Sequence, residues 1–157
     1  MTRAMAIALA AGAVLWGIVI LTAPLATTHR SGARVATFVY AGASRICHQR
    51  SERSFAIAGV QMPVCARCSG LYLSGAVGAL LAWAGRVRRP VSGTRPLVLI
   101  AAVPTAVTFS LEFLGVLPFS NAARAIAALP LGAVAGWLFV RMLRYDARFD
   151  GNQIVNR

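Results

Sequence analysis

The sequence predicts an all-α, polytopic integral membrane protein with about four transmembrane helices and a short interfacial or re-entrant helix. Of its 157 residues, 58% are hydrophobic and only 13% are charged, about half the charged fraction of an ordinary soluble domain. The mean hydropathy is +0.68. This composition excludes a soluble domain, a disordered chain and a disulfide-dense secreted module. A small membrane protein remains.

The first predicted span runs without a charge from Ala4 to Ala26. A spanning helix needs about 20 mostly apolar residues, whereas the apolar core of a cleaved signal peptide has about 7 to 15. Because the stretch is too long for a signal core, we expect a retained anchor. The basic start at Arg3 and the small residues before Ala26 leave a signal peptide as the alternative.

The other predicted spans are Cys68–Gly85, Pro96–Leu117 and Asn121–Val140. Lipid cannot satisfy backbone hydrogen bonds, so each of these apolar stretches is expected to be helical. An apolar stretch between the first two spans repeats at the spacing of one helix face, through Val35, Phe38, Val39, Gly42 and Ile46. This periodicity predicts the interfacial or re-entrant helix, which either packs on the bundle or shapes a site. A turn is expected at Gly59 and Pro63.

The arginines predict how the chain is oriented in the membrane. All sixteen basic residues are arginine, and the net charge is +12. They are densest in the short connection between residues 85 and 96 and recur in the C-terminal tail: Arg86, Arg88, Arg89, Arg95, Arg141, Arg144 and Arg148. Dense positive charge in short loops marks the cytoplasmic side. We therefore expect both termini in the cytoplasm and the region between the first two spans outside it.

These elements divide the chain into four parts. They are an N-terminal transmembrane anchor (1–26), an extracytoplasmic loop with an amphipathic helix and a Cys/His motif (27–67), a three-helix membrane core (68–143) and a cytoplasmic tail (144–157). Two small-residue faces in the core permit tight helix packing within one chain, or between two chains of a homo-oligomer: Gly75, Gly78 and Ala82, and Gly132 and Gly136.

All three cysteines lie in one part of the sequence. Cys47 precedes His48, and Cys65 and Cys68 form a C-x-x-C pair at the start of the second predicted span. Thiolates at a helix N-terminus are stabilised by the helix dipole and by free backbone N–H groups. Three sulfurs and one imidazole suit tetrahedral zinc, so these four residues are the predicted zinc ligands. His48 is alternatively a catalytic group, and three buried packing cysteines are the structural alternative.

Two charged residues lie within the predicted spans, on the same side as the cysteines. Glu112 is near the end of the third span, and Arg124 is one turn into the fourth. Ionisable groups inside a membrane are costly and usually face a partner. We expect either a Glu112–Arg124 ion pair that holds the two helices as a hairpin, or a Glu112 that acts as a metal ligand or general base. Ser120 and Asn121 would then give polar support.

Arginines near the cysteines predict an anionic ligand. Arg50, Arg53, Arg67 and Arg124 are the candidates, because the planar guanidinium group binds phosphate through two hydrogen bonds. We expect membrane lipids as partners, and an anionic lipid head group or another phosphate-containing compound as ligand. A nucleic acid is disfavoured, since the patch lies between spans and lacks aromatic side chains on which bases stack.

The motifs together resemble a known family. The strings Cys47-His48-Gln49-Arg50, Arg53-Ser54-Phe55 and Pro63-Val64-Cys65-Ala66-Arg67-Cys68, followed by Glu112, Ser120-Asn121 and Arg124, resemble the small bacterial and archaeal membrane proteins called domain of unknown function 2085. The resemblance covers about residues 40 to 140. It implies a fold in the bacterial or archaeal cytoplasmic membrane and a site with Gln49, Ser54, Ser120 and Asn121 as support, but no established activity.

Three functions fit these observations. The first is a metal-binding membrane protein, whose zinc ion is either structural or hydrolytic toward an anionic substrate. The second is a thiol–disulfide oxidoreductase or redox sensor, with Cys65 and Cys68 as the exchanging pair and Cys47 as a relay. The third is a non-enzymatic lipid-binding or assembly module. We favour the first because the second leaves His48 without a purpose and lacks any thioredoxin-like context.

Overall fold

The computed structural model describes residues 2–28, 30–85 and 94–155, with the side chains of 3–28, 32–85 and 94–145. This part of the chain is folded into five α-helices: α1 Thr2–Ala26, α2 Arg30–Ala43, α3 Ala66–Ala84, α4 Thr94–Phe113 and α5 Asn121–Val155. A 3-10 turn, Ser51–Arg53, and two short strands, β1 Ala56–Ile57 and β2 Val60–Gln61, lie between α2 and α3. The all-helical prediction is confirmed, with this small hairpin as an addition.

The hairpin places the predicted turn at Gly59. Strands β1 and β2 are antiparallel, with Ala56 opposite Gln61 and Ile57 opposite Val60. The two residues between them have positive φ angles, 52° at Ala58 and 78° at Gly59. Two consecutive positive φ angles are the pattern of a type I′ turn, which suits the twist of a two-residue hairpin. The hairpin returns the chain toward α2 before α3 begins.

Three of the predicted spans form helices long and apolar enough to cross a membrane. They are α1, α4 and the first 25 residues of α5. The predicted second span is α3, with 19 residues, and it does not reach the same apolar content. A count of four spans is therefore not confirmed. The reason is visible in the packing, because α3 has eight buried residues and all of them are small.

Helices α3 and α5 pack backbone against backbone. A Cβ atom added to Gly78 would lie 2.0 Å from the carbonyl oxygen of Ala133, and one on Gly136 would lie 2.0 Å from that of Gly75. Only glycine permits helices to approach this closely. The two predicted small-residue faces therefore meet each other within the chain. Helix α1 covers the pair, and its Ala10 joins a core cluster with Ala79, Ala82 and Val140.

Helix α2 is present where an amphipathic helix was expected, and the face that it buries is made of small residues. Val35 and Phe38 are 63% and 79% exposed, whereas Ala36 and Ala43 are buried. The small alanines let α2 approach α1, and the larger apolar side chains point away from the protein. Helix α2 therefore packs on α1 through its alanines, while its Val35–Phe38 face is exposed. An outward apolar face is what an interfacial helix presents to lipid.

The ends of α4 and α5 bring the polar residues of the two helices together. Helix α4 ends at Phe113 rather than at the predicted Leu117, and Gly115 follows with a φ of 69°. Helix α5 begins at Asn121, as predicted, and the Ser120 hydroxyl accepts a hydrogen bond from the Ala123 N–H at 3.2 Å. This contact caps the helix. Helix α5 continues to Val155, so the predicted tail is helical from residue 144 to that point.

The cationic loop used to predict the orientation lies largely outside the described residues. Arg86, Arg88 and Arg89 fall between residues 85 and 94, so the structure says nothing of their surroundings.

Candidate metal centre

The three cysteines converge at one point. The Sγ atoms of Cys47, Cys65 and Cys68 all lie within 4.8 Å of one another, and all three thiols are free. Around a tetrahedral zinc ion with Zn–S bonds of about 2.3 Å, sulfur atoms are about 3.8 Å apart. The observed cluster therefore needs only small side-chain rotations to surround an ion of that size.

Two separate segments deliver the sulfurs. Cys65 is the N-cap residue of α3, and Cys68 lies in its first turn. Cys47 follows the end of α2, where its own N–H donates to the Ala43 carbonyl at 2.9 Å. The Cys65 N–H donates to Cys47 Sγ at 3.1 Å, so a backbone hydrogen bond joins the two segments at the sulfurs themselves.

An apolar core closes the back of the cluster. Cys47 is 6% exposed and packs with Ile20, Ala43 and Val64, which are fully buried. Water therefore reaches the sulfurs from one side only. A hydrogen bond from the Cys68 thiol lowers the pKa of Cys65 below the ordinary value of a cysteine.

Side-chain amides hold the Cys47 segment between α2 and the loop that precedes α3. The Gln49 side chain donates to the Tyr40 and Pro63 carbonyls, each at 2.8 Å. The Gln61 side chain donates to the Gln49 carbonyl at 2.6 Å, and the Tyr40 hydroxyl donates to the Gln61 carbonyl. Gln49 itself has a φ of 49°, a left-handed conformation that these bonds stabilise. The chain therefore turns sharply directly after Cys47 and His48.

A second set of contacts ties the loop to α5. The Ser54 hydroxyl donates to the Arg50 carbonyl at 2.7 Å, and the Asn121 amide donates to the Ser54 carbonyl at 3.0 Å. Arg124 donates to Asn121 Oδ1 at 2.7 Å. Polar residues that are far apart in the sequence therefore form one continuous network beside the cysteines.

Glu112 lies between two arginines. Its carboxylate is 6% exposed and lies 2.6 Å from Arg124 and 2.9 Å from Arg67. The expected Glu112–Arg124 ion pair is present, and Arg67 adds α3 to it. Both carboxylate oxygens are engaged, and Glu112 is not among the donor atoms of the sulfur cluster. The structure therefore favours the ion-pair interpretation over Glu112 as a metal ligand.

The sulfurs open onto a cavity of about 530 Å³. Its wall includes all four arginines expected to bind an anion, and among the described residues no acidic side chain lines it. The lining residues are Ile46, Cys47, His48, Arg50, Arg53, Cys65, Arg67, Cys68, Phe109, Phe113 and Arg124.

His48 lies on this cavity but not in the sulfur cluster. It is exposed, and its ring nitrogens do not belong to the group of donor atoms within 4.8 Å of one another. The cause is local, because Cys47 points into the protein and the next residue along the turn points out of it. The structure therefore groups three of the four predicted ligands and leaves the imidazole on the rim.

Sequence reasoning missed the aromatic wall and part of the supporting network. Phe109 and Phe113 line the cavity, and the Arg67 guanidinium lies 5.5 Å from the Phe109 ring centroid. Phe109 lies three residues before Glu112 and four before Phe113, spacings that make neighbours on a helix surface, so this pair had a signal. Tyr40 and Gln61 had no such signal in the sequence, because their side chains donate to backbone carbonyls, which every residue has.

Comparison with known proteins places these residues in a family. The family model described as "Predicted membrane protein (DUF2085)" matches residues 47–138, a segment that begins at Cys47 and includes the three cysteines, Glu112 and the four arginines of the cavity. An uncharacterized protein of Methanothermobacter thermautotrophicus is 33% identical over 87 residues, which are 55% of this chain and 78% of that protein. One from Methanocaldococcus jannaschii is 34% identical over 103 residues, 65% of this chain and 64% of that protein.

No solved structure gives a significant match to the chain. The resemblance expected from the Cys-His-Gln and Pro-Val-Cys-Ala-Arg-Cys strings is confirmed by the family match, and the N-terminal helix α1 lies outside it. The chain belongs to the DUF2085 family of membrane proteins.

Proposed function

We propose that this membrane protein binds one zinc ion through the thiolates of Cys47, Cys65 and Cys68. The observation that carries the proposal is the convergence of three sulfurs from two segments to within 4.8 Å. Packing alone does not require cysteines to meet, whereas a shared metal ion does. The N–H group that Cys65 donates to Cys47 supports the proposal, because hydrogen bonds to a sulfur favour its thiolate form.

The donor set favours zinc among the metals that bind thiolates. Soft sulfur ligands select zinc, copper(I) and iron–sulfur clusters, and an iron–sulfur cluster usually takes four cysteines. The chain has three. Zinc is also the metal for which three protein ligands and an exchangeable fourth ligand are common.

The fourth coordination position is proposed to face the cavity. A zinc site with three protein ligands keeps room for a water molecule or a substrate, as catalytic zinc sites do. His48 lines the same cavity and is the protein group available either as a fourth ligand or as a general base. We therefore propose a site that is either structural, with His48 as fourth ligand, or hydrolytic toward an anionic substrate.

The site is proposed to lie on the extracytoplasmic side of the membrane. The support is the dense arginine of the 85–96 connection, which follows the end of α3 opposite to the cysteines, together with the preference of such loops for the cytoplasm. Fusion of a reporter that is active only in the cytoplasm to the C-terminus should give active reporter. An inactive C-terminal fusion together with an active fusion in the 27–67 region would reverse the orientation.

Elemental analysis of the detergent-purified chain, with a count of reactive thiols, tests the metal proposal. About one zinc per chain is expected, with all three thiols unreactive until a chelator removes it. Cys65→Ser should abolish zinc binding, since two thiolates remain. His48→Ala should retain zinc if the metal keeps an open position. Absence of zinc from fully reduced protein, even after reconstitution with the ion, would contradict the proposal.

A thiol–disulfide exchange function is the second candidate. It is supported by the position of Cys65 and Cys68 at the N-cap and first turn of α3, with Cys47 close enough to act as a third thiol. A C-x-x-C pair at a helix N-terminus is a common redox arrangement. This candidate predicts a mixed disulfide with a partner when Cys68→Ser blocks resolution. Metal-free protein with a Cys65–Cys68 disulfide would favour it over zinc binding.

A further inference from the structure

The cavity beside the sulfurs has an excess of positive charge. Four guanidinium groups line it, and two carboxylates lie near them. Glu112 is shared by Arg67 and Arg124. Glu52 lies 3.9 Å from Arg50, and both of these side chains are mostly exposed. Even with the charge of minus one that three thiolates and a zinc ion would contribute, one positive charge is left over. The cavity therefore favours an anion.

Two donors in this cavity have no partner among the described residues. The Arg53 guanidinium is exposed and makes no hydrogen bond or ion pair there. Arg67 Nε is buried and likewise unpaired, although the same side chain gives Nη2 to Glu112. Buried donors are normally satisfied. An anion with several oxygen acceptors would complete both groups.

The mouth of the cavity is apolar. Phe109 and Phe113 stack with a centroid distance of 6.1 Å, and they are 52% and 80% exposed. Ile46, on the loop side, is 56% exposed. A site for a fully hydrated anion would not need apolar side chains at its entrance, whereas a site for an anion that carries a hydrocarbon chain would.

The position of the cavity along the helices agrees with such a ligand. Arg67 is in the first turn of α3, Phe113 is the last residue of α4, and Arg124 is in the first turn of α5. If α4 and α5 span the membrane, their ends lie at the depth of the lipid phosphates. A cationic chamber at that depth, with an aromatic opening toward the hydrocarbon, is accessible to a lipid without leaving the bilayer.

We propose that the cavity binds the phosphate ester of a membrane lipid, with the phosphate at Arg53 and Arg67 beside the sulfur cluster and the hydrocarbon chain against Phe109 and Phe113. This inference names the ligand class of the proposed zinc site, and it relies on that proposal only for the charge balance. Phosphate is favoured over carboxylate because a phosphate monoester has three acceptor oxygens and a charge of about −1.5 to −2, against two oxygens and a single charge for a carboxylate.

Native mass spectrometry of the detergent-solubilised chain tests the inference, because zinc and lipid add separate masses. Dihexanoyl phosphatidic acid is the probe, with dihexanoyl phosphatidylcholine and glycerol 3-phosphate for comparison. One phosphatidic acid per chain is expected. Glycerol 3-phosphate should bind at least about tenfold more weakly, because it lacks the apolar chains. Equal binding of glycerol 3-phosphate would overturn the lipid and indicate a soluble phosphate compound.

Three variants locate the ligand. Arg53→Gln should weaken phosphatidic acid binding by about tenfold, the loss of one charge-assisted hydrogen bond. Arg34→Gln should leave it unchanged, since Arg34 is an exposed arginine of α2 outside the cavity. Phe113→Ser should weaken phosphatidic acid but not glycerol 3-phosphate. Equal effects of Arg53→Gln and Arg34→Gln, or equal binding of phosphatidylcholine, would show lipid association without a site and overturn the inference.

The same spectra separate the two proposals. Zinc retained without phosphatidic acid binding contradicts the lipid site alone. Phosphatidic acid bound by a chain that never carries zinc contradicts the metal site alone.

Discussion

Helices α3 and α4 are neighbours in sequence, but they are built in opposite ways. Helix α4 has the length and apolar content of a membrane span, yet only Ala101 of its 20 residues is buried. Helix α3 is less apolar and has eight buried residues, all alanine, glycine or serine. Apolar content therefore marks the helix that lies at the protein surface, while small residues mark the helix that the rest of the protein surrounds. The helix that carries two of the three cysteines is the surrounded one.

The two helices are also held by different interactions. Helix α3 fits α5 by shape, since glycine allows backbone contact along their common length. Helix α4 is joined to the others by polar contacts at two levels. Glu112 pairs with Arg67 and Arg124, and the Thr105 hydroxyl donates to the Ala127 carbonyl at 2.7 Å. Apolar burial drives helix association only weakly in a membrane, so close backbone packing and polar contacts are both effective there.

The largest effect is expected when α4 loses its ion pairs. Glu112→Gln leaves two arginines without a counter-charge in a buried setting, which typically costs about 3–5 kcal/mol. Glu52→Gln is the matched control, because its ion pair with Arg50 is 3.9 Å long and exposed, so a change within about 0.5 kcal/mol is expected. Unfolding in mixed detergent and SDS micelles, followed by tryptophan fluorescence, measures both. Similar losses from the two variants would remove the distinction between a buried and an exposed glutamate.

The glycine interface is tested by Gly78→Ala, which should destabilise the protein by a smaller amount, and by a control variant that should stabilise it. Gly78→Ala forces a Cβ to within 2.0 Å of the Ala133 carbonyl oxygen, so α3 and α5 must separate at a cost of about 1–3 kcal/mol. Gly12→Ala meets nothing within 4 Å on α1. There the change should stabilise the helix by up to about 1 kcal/mol. Stabilisation of both variants in the same unfolding assay would show that α3 and α5 are not in backbone contact.

The smallest effect concerns the second polar link of α4. Thr105→Val removes the hydrogen bond to the Ala127 carbonyl, and interhelical bonds of this kind contribute about 0.6 kcal/mol on average. Thr108→Val removes only bonds to the Pro104 and Thr105 carbonyls of its own helix, so less change is expected. A double variant that combines Thr105→Val with Glu112→Gln tests whether the two polar links of α4 act together. If the two polar links cooperate in holding α4, the combined loss should differ from the sum of the single losses.

Long apolar runs were sufficient to predict most of the fold. Helices α1, α4 and α5 lie where uncharged or nearly uncharged stretches predicted them, because the bilayer imposes length and hydropathy directly. Composition could not predict which apolar face of α2 would be buried. Its Val35–Phe38 face and its Ala36–Ala43 face are both apolar, and the choice depends on how closely α1 can approach. That is a property of the partner helix.

The neighbourhood of the site was also predictable, but its geometry was not. Cysteine is rare in this chain, so the grouping of Cys47 with Cys65 and Cys68 was a strong signal. The direction of His48 was not predictable from its position beside Cys47. The left-handed backbone at Gln49, directly after His48, is held by two distant carbonyls through one side-chain amide. These hydrogen bonds join residues that are distant in the sequence, so they are visible only in the tertiary structure.

The central claim is that the sulfur atoms of Cys47, Cys65 and Cys68 together hold one zinc ion. X-ray absorption at the zinc edge of the purified wild-type chain tests it most directly. The account predicts three sulfur ligands at about 2.3 Å and one oxygen or nitrogen ligand at about 2.0–2.1 Å. A zinc ion bound by oxygen and nitrogen alone, or by four sulfurs drawn from two chains, would contradict it.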